Sequence, residues 1–282
     1  MRLLVWNILH GGGPRRTPGI VLAILDHRPD VVVLTEFRTT TGGQLAGVLH
    51  DHGLRHRLDS APSPGRNGIL IASRWGLERD PLGDRTAMGA KCLAARIEGV
   101  GVRLAAAHVP DARAHDHPAL QRKSRCWNDL LHLGERWRSE PALLAGDFNT
   151  GRPGIDEDGR DTRVGAFTSA ALMGKLTGMG YADAYRSLHP RGQERSWYSQ
   201  QGRGFRLDHT LVSAPLAPRL RGVRYSQVER ETRLSDHAPM LVDLSCEDPP
   251  RSDIAKNTEK VGVGDLQVRE SCVTTHPCNG TD

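Results

Sequence analysis

Asn7, Glu36, His108, Asp147, Asn149, Asp208 and His237 are the side chains of this 282-residue chain whose type and setting best suit chemistry. Several of them end apolar runs. Asn7 follows Leu3-Leu4-Val5-Trp6, Glu36 follows Val31-Val32-Val33-Leu34-Thr35, His108 follows Leu104-Ala105-Ala106-Ala107, and Asp147 with Asn149 follows Leu143-Leu144-Ala145-Gly146. Strand ends in α/β proteins converge on one edge, where ligands bind. Arg206-Leu207-Asp208-His209 and Ser235-Asp236-His237-Ala238-Pro239 add two Asp-His neighbours, a pairing in which a carboxylate orients or charges an imidazole. Carboxylates gathered in one cleft repel one another unless a cation sits among them, and a hard divalent ion such as Mg²⁺ takes oxygen ligands.

The elements that must position these groups can be read from periodicity. Residues 2–8 form a buried opening strand, 18–27 a short helix with Ile20 and Ile24 inward, and 31–34 a second strand. Strands over 69–72, 91–97 and 102–107 follow, the last two joined by the hairpin signal Glu98-Gly99-Val100-Gly101. Residues 118–138 give the clearest helix, with Leu120, Trp127, Leu130, Leu131, Gly134 and Trp137 on one face and Pro118 in its first turn. A strand over 142–145, a helix over 166–177 and strands over 206–213 and 238–244 complete the pattern. Strands interleaved with helices indicate α/β layering, and the hairpin argues against a purely parallel sheet.

Composition narrows the class. Mixed usage, with 38% apolar residues, excludes collagen, coiled coil and bulk disorder. No apolar run nears the roughly 20 residues of a membrane span. The opening run stops at Asn7, too short for an export signal, so a cytoplasmic location is expected. The five cysteines are widely spaced without a C-x-x-C pair, which signals neither a disulfide framework nor a zinc site. Residues 1–246 hold 34 basic and 26 acidic side chains and read as one domain. Residues 247–282 hold four and seven, lack Phe, Trp and Tyr, and open with Asp248-Pro249-Pro250, so a disordered acidic tail is expected there. Of the 38 cationic residues 33 are Arg, and a basic, Arg-rich body attracts polyanions. Gly11-Gly12-Gly13-Pro14-Arg15-Arg16 lacks the Lys-Ser/Thr of a P-loop and reads as a mobile loop. No segment signals a protein partner.

Trp6-Asn7, Thr35-Glu36, Gly146-Asp147-Phe148-Asn149, Arg206-Leu207-Asp208 and Ser235-Asp236-His237-Ala238-Pro239, in this order, resemble the endonuclease/exonuclease/phosphatase superfamily. The branch most similar is the exonuclease III type of apurinic endonuclease, supported by Gly180-Tyr181-Ala182-Asp183, Ser196-Trp197-Tyr198 and Gly204-Phe205-Arg206. Each motif alone is weak, but five in order after apolar runs are hard to assign to chance. The resemblance implies a four-layer α/β/β/α sandwich of two packed mixed β-sheets. It implies Glu36 as the main ligand of Mg²⁺, or of Mn²⁺, with Asn7 beside it and Asp236 near a second ion. Asp147 and Asn149 would position and activate the attacking water, and Asp208 would orient His237 against the scissile phosphate. The implied activity is divalent-metal-dependent phosphodiester hydrolysis of DNA, as an endonuclease or exonuclease, with a place in DNA repair.

The sequence also departs from that branch. His108 stands where a Tyr is usual, as in phosphatase-like and pancreatic-type members, and would donate a proton to the leaving oxygen. Asp111 replaces an Asn that meets phosphate, and Leu9 occupies the place of a metal-binding Asp in some relatives. Phe205 and Leu207 match an apolar substrate pocket, with Trp197 one residue from a further pocket position, now Ser196. His108 keeps open an alternative, a phosphatase or phosphodiesterase acting on a lipid head group or a small soluble phosphoester. A third class, a binding protein with this fold and no chemistry, is opposed by the full set of polar residues.

Overall fold

The computed structural model of the protein describes residues 1–112, 115–158 and 167–245; the segment 247–282, expected to form the tail, lies outside them. In chain order the elements are β1 (Arg2–Asn7), α1 (Gly13–Asp26), β2 (Val31–Phe37), α2 (Thr39–Asp51), β3 (His56–Asp59), β4 (Gly68–Ser73), β5 (Leu77–Arg79) and α3 (Pro81–Asp84). Then follow β6 (Cys92–Ile97), β7 (Val102–His108), α4 (His117–Trp137), β8 (Ala142–Asp147), α5 (Ala170–Gly178), β9 (Ala182–Asp183) and α6 (Ala184–Leu188). The last stretch holds β10 (Trp197–Tyr198), β11 (Gly204–Phe205), β12 (Asp208–Val212), β13 (Leu220–Tyr225), α7 (Val228–Glu231) and β14 (Met240–Leu244).

Two six-stranded sheets carry the fold, in the orders β13-β14-β1-β2-β4-β3 and β5-β6-β7-β8-β12-β9. Both are mixed: β1–β2 and β7–β8 are parallel, and the other pairs, the expected β6–β7 hairpin included, are antiparallel. Strand side chains alternate between faces. Leu3, Val5, Val31 and Val33 from the first sheet therefore meet Leu104, Ala106, Leu143 and Ala145 from the second in one central core. The outward residues Leu4, Trp6, Val32 and Leu34 pack under Ile20, Ile24, Leu45 and Leu49 of α1 and α2. On the other side, Ala105, Ala107 and Leu144 pack under Trp127, Leu130, Trp137 and Leu176 of α4 and α5. The result is an α/β fold consistent with a four-layer α/β/β/α sandwich. Among the described residues, no helix is long and apolar enough to cross a membrane.

Two of the segments that differ from the expectations have a clear physical cause. The run Gly11-Gly12-Gly13 is a built turn rather than a loose loop: φ is 75°, 74° and 65°, Gly12 caps α1, and Pro14 enters the first turn, where a missing N–H costs nothing. A Cβ on Gly11 would lie 2.7 Å from Thr41 Oγ1, so the turn is also pressed against α2. Helix α2 itself is not foreseen, because its opening Thr39-Thr40-Thr41-Gly42-Gly43 has low helix propensity. Packing overrides that propensity: Gly42 lies so close to Phe37 that a Cβ would come within 2.0 Å of the ring, and Leu45, Ala46 and Leu49 are buried.

Candidate active site

The polar residues that end the strands lie in phase with the central core. Leu3 and Val5 lead to Asn7, Leu104 and Ala106 to His108, Leu143 and Ala145 to Asp147, and Val212 and Thr210 back to Asp208, always in steps of two. The register aligns the last three: His108 pairs with Asp147 across β7 and β8, and Asp147 with Asp208 across β8 and β12. Where the inter-sheet core ends, its inward positions turn from apolar to polar.

Glu36 reaches this edge by another device. Thr35 holds the inward phase of β2, so Glu36 should point away. The register of β2 against β4 shifts between Thr35 and Phe37, and Glu36 adopts a left-handed φ of 57°. A bulge with a non-glycine left-handed residue re-aims a side chain at a local energetic cost. Glu36 Oε1 accepts a hydrogen bond from Asn7 Nδ2 at 3.3 Å and lies 4.0 Å from His108 Nε2. Its Oε2 accepts from the His10 backbone N–H at 2.8 Å and from Asn67 Nδ2 at 3.0 Å. Asn7 Nδ2 also donates to Asp147 Oδ2 at 3.0 Å, so one amide spaces two carboxylates.

Burial separates the charge states of these groups. Desolvation raises Asp147 to about 7, with the Asp208 carboxylate adding to the shift and His237 opposing it. For His237 burial acts downward, but the Asp208 and Asp147 carboxylates outweigh it and raise the imidazole to about 10. His108 goes the other way: burial lowers it to about 4, aided by Lys91 and His237 and resisted by Glu36. Glu36 ends below its ordinary value, since His108, the His10 backbone N–H, His10 itself and Asn7 outweigh its burial. At neutral pH the site therefore holds one imidazolium, His237, and one neutral imidazole, His108. His237 Nδ1 lies 2.7 Å from Asp208 Oδ2 and its Nε2 lies 3.8 Å from Asp147 Oδ2.

Asn7, Glu36, His108, Asp147, Asn149 and His237 line one cleft of about 860 Å³, together with Trp197, Phe205 and Leu207. Asp208 is fully buried beneath His237. Its partner is thus the histidine 29 residues away and not the adjacent His209, which faces Thr150 O at 2.7 Å and stacks on Phe148. Asp236 is exposed and accepts a hydrogen bond from Trp197 Nε1 at 3.0 Å; it does not line the cleft. Asn149 Nδ2 donates to Val109 O at 2.9 Å. The Trp197 and Phe205 rings stand 5.8 Å apart, Phe167 meets Phe205 edge-on at 6.1 Å, and the Arg203 guanidinium lies 5.6 Å from the Phe205 ring.

Several contributors have no signal in the sequence reading. His10 and Asn67 come from loops and act on Glu36. Phe167, Lys91 and Arg203 line the cleft without belonging to any motif. Lys123 looks like a solvated helix lysine but is fully buried, with Nζ 2.6 Å from Asn149 O.

A divalent cation fits this set. Asp147, Asp208 and His237 offer ligand atoms within 4.8 Å of one another, and Asp208 Oδ1 is buried with no hydrogen-bond partner among the described residues. Carboxylate oxygens are donors for hard divalent ions, and His237 would join them only as the neutral imidazole, after giving up a proton.

Comparison with known proteins agrees with this geometry. A model of the Endonuclease/Exonuclease/phosphatase family matches residues 4–237. Exodeoxyribonuclease III of Haemophilus influenzae is 29% identical over 154 residues, and Recombination repair protein 1 of Drosophila melanogaster is 31% identical over 118. These matches cover 48% and 36% of the chain but only 57% and 16% of the two relatives. Among solved structures, an AP endonuclease from Archaeoglobus fulgidus superposes with a TM-score of 0.76 at 22% identity, covering 87% of this chain and 99% of its own. The 3'-5' exonuclease NExo from Neisseria meningitidis superposes with a TM-score of 0.73 at 24% identity, covering 87% and 100%. These two likenesses concern the fold.

Proposed function

The chain belongs to the endonuclease/exonuclease/phosphatase family, and on that premise we propose that it is a divalent-metal-dependent phosphodiester hydrolase of the exonuclease III type, acting on DNA. The observation that carries this reading is the meeting of Asp147, His237, Glu36 and Asn7 at the wall of a single cleft, with Asp208 buried beneath His237. Mg²⁺ is the proposed ion, with Mn²⁺ as its substitute, and Glu36 and, beside it, Asn7 are the residues to hold it. When bound, it supplies positive charge against the phosphate oxygens.

The chain's own groups do the rest. Asp147, poised near 7, takes a proton from the attacking water, while Asn149 helps to orient that water. Asp208 keeps His237 protonated, and the imidazolium offsets charge growing on the phosphate in the transition state. His108, held near 4, offers the leaving oxygen a hydrogen bond rather than a stored proton at neutral pH. Trp197, Phe205 and Leu207 give the nucleotide an apolar wall, and Lys91 and Arg203 meet its phosphates.

A DNA substrate is supported by the names of the curated relatives and by the net positive charge of the body. The test is purified protein with Mg²⁺, and again with EDTA, on supercoiled plasmid, an abasic duplex, a recessed 3' end and a generic small phosphodiester. Metal-dependent cutting of DNA is the expected result. Activity confined to the small ester would replace this reading with the small-phosphoester one.

A further inference from the structure

Helix α4 carries a lysine where its buried face calls for a hydrophobe. Lys123 shares that face with Ala119, Cys126, Trp127 and Leu130, and its side chain is fully buried. An ammonium is costly to bury unless a specific acceptor holds it. Here Nζ donates to the main-chain carbonyl of Asn149 at 2.6 Å.

That carbonyl belongs to the segment that sets the cleft geometry. After Asp147 the chain turns back through Asn149, which has a left-handed φ of 45°. Asn tolerates that conformation better than other non-glycine residues, and several hydrogen bonds fix it here. Asn149 N–H donates to Asp147 Oδ1 at 3.0 Å, Asn149 Nδ2 to Val109 O at 2.9 Å, and Phe148 N–H to Leu207 O at 2.9 Å. These ties come from the turn itself or from the segments beside it. Lys123 ties the turn from helix α4.

We propose that Lys123 is a positioning residue: by holding the Asn149 carbonyl from the helix side, it presents the Asp147 carboxylate and the Asn149 amide to the cleft in one fixed geometry, and it takes no part in holding substrate. This rests on the hydrolytic role proposed for Asp147 and Asn149. Lys123 is absent from the lining of the cleft, whereas Asn149 and Asp147 both belong to it.

The experiment compares Lys123→Met, Lys123→Gln and Lys123→Arg with the parent protein by steady-state cleavage of a DNA duplex in Mg²⁺, by thermal melting, and by the NMR signal of the Asn149 side-chain amide. Misplacement by about 1 Å costs on the order of 10²-fold in rate, so the methionine variant is expected to lose about 10- to 100-fold in kcat with KM within about threefold. Glutamine, neutral and too short to span the same gap, is expected to lose kcat in the same way. Arginine should restore the larger part of the loss. A kcat within about threefold of the parent in the methionine or glutamine variant overturns the proposal. So does an arginine no better than methionine, or kcat and KM changing together with the melted fraction. If the parent protein cuts no DNA, the functional reading fails instead, and the NMR signal still decides: an Asn149 amide unchanged in both the methionine and glutamine variants overturns the positioning role, and a displaced one supports it.

Discussion

Asp208 works through His237. It is buried, its Oδ2 lies 2.7 Å from the ring, and its charge is the leading reason that His237 stays protonated against the pull of burial. Asp208→Asn keeps the shape and removes that charge, so the His237 pKa should fall from about 10 toward its ordinary 6.5, read by NMR titration of the ring. At pH 8 the imidazolium would then be largely lost, and kcat/KM should drop by about 10² or more. Asn7, Glu36, His108 and Asp147 were legible because each closes an apolar run. The pairing was only half legible: sequence adjacency offered His209 as readily as His237, and strand alternation, which turns His209 to the opposite face, decides for the distant one.

Strands place the site by parity, and the exceptions show what a sequence hides. Asn7, His108, Asp147 and Asp208 follow from steps of two along β1, β7, β8 and β12, whereas Glu36 is out of phase and depends on a bulge that no residue type announces. Helix α4 was read as an amphipathic helix with Leu120 and Leu131 inward; those two are only partly buried, and Lys123 and Leu133 are fully buried or nearly so. A charged residue on a buried face cannot be recognised before its acceptor is known. Close packing of β7 on β8 gives a test at this scale. Gly146 has φ 142° and a Cβ there would lie 1.9 Å from the Ala107 carbonyl oxygen, a backbone atom that cannot swing aside. Gly146→Ala should therefore destabilise the fold by about 1–3 kcal/mol in chemical denaturation, and lower kcat by parting His108 from Asp147.

Across the whole molecule, a buried ionic network joins the second sheet to the segments carrying the aromatic wall. Arg206 bridges Asp156 and Asp183, Arg186 also pairs with Asp156, and the four are buried. Burial pushes both carboxylates up, but the Arg206 guanidinium overrides it and holds them below the usual carboxylate range. Their folded values are depressed, so the stability they add is present above the unfolded value of about 4 and is lost as pH falls further. Urea melts should show a sharp loss of stability below about pH 4 that is weaker in Asp183→Asn, a variant expected to cost about 3–5 kcal/mol at pH 7. The α/β layering was foreseeable from strands interleaved with helices. This network was not, because Asp156, Arg206 and the Asp183–Arg186 stretch lie in three separate segments and meet only in the folded chain.

The most direct measurement is the rate of supercoiled-plasmid cleavage as a function of Mg²⁺ concentration for the parent protein and for Asp147→Ala. The parent should show no cleavage in EDTA and a rate that rises and saturates with Mg²⁺, while the variant stays at least about 10²-fold slower at every concentration and melts as a folded protein. Cleavage that persists in EDTA, or that survives the loss of Asp147, would contradict the assignment of this cleft as a metal-dependent hydrolytic centre.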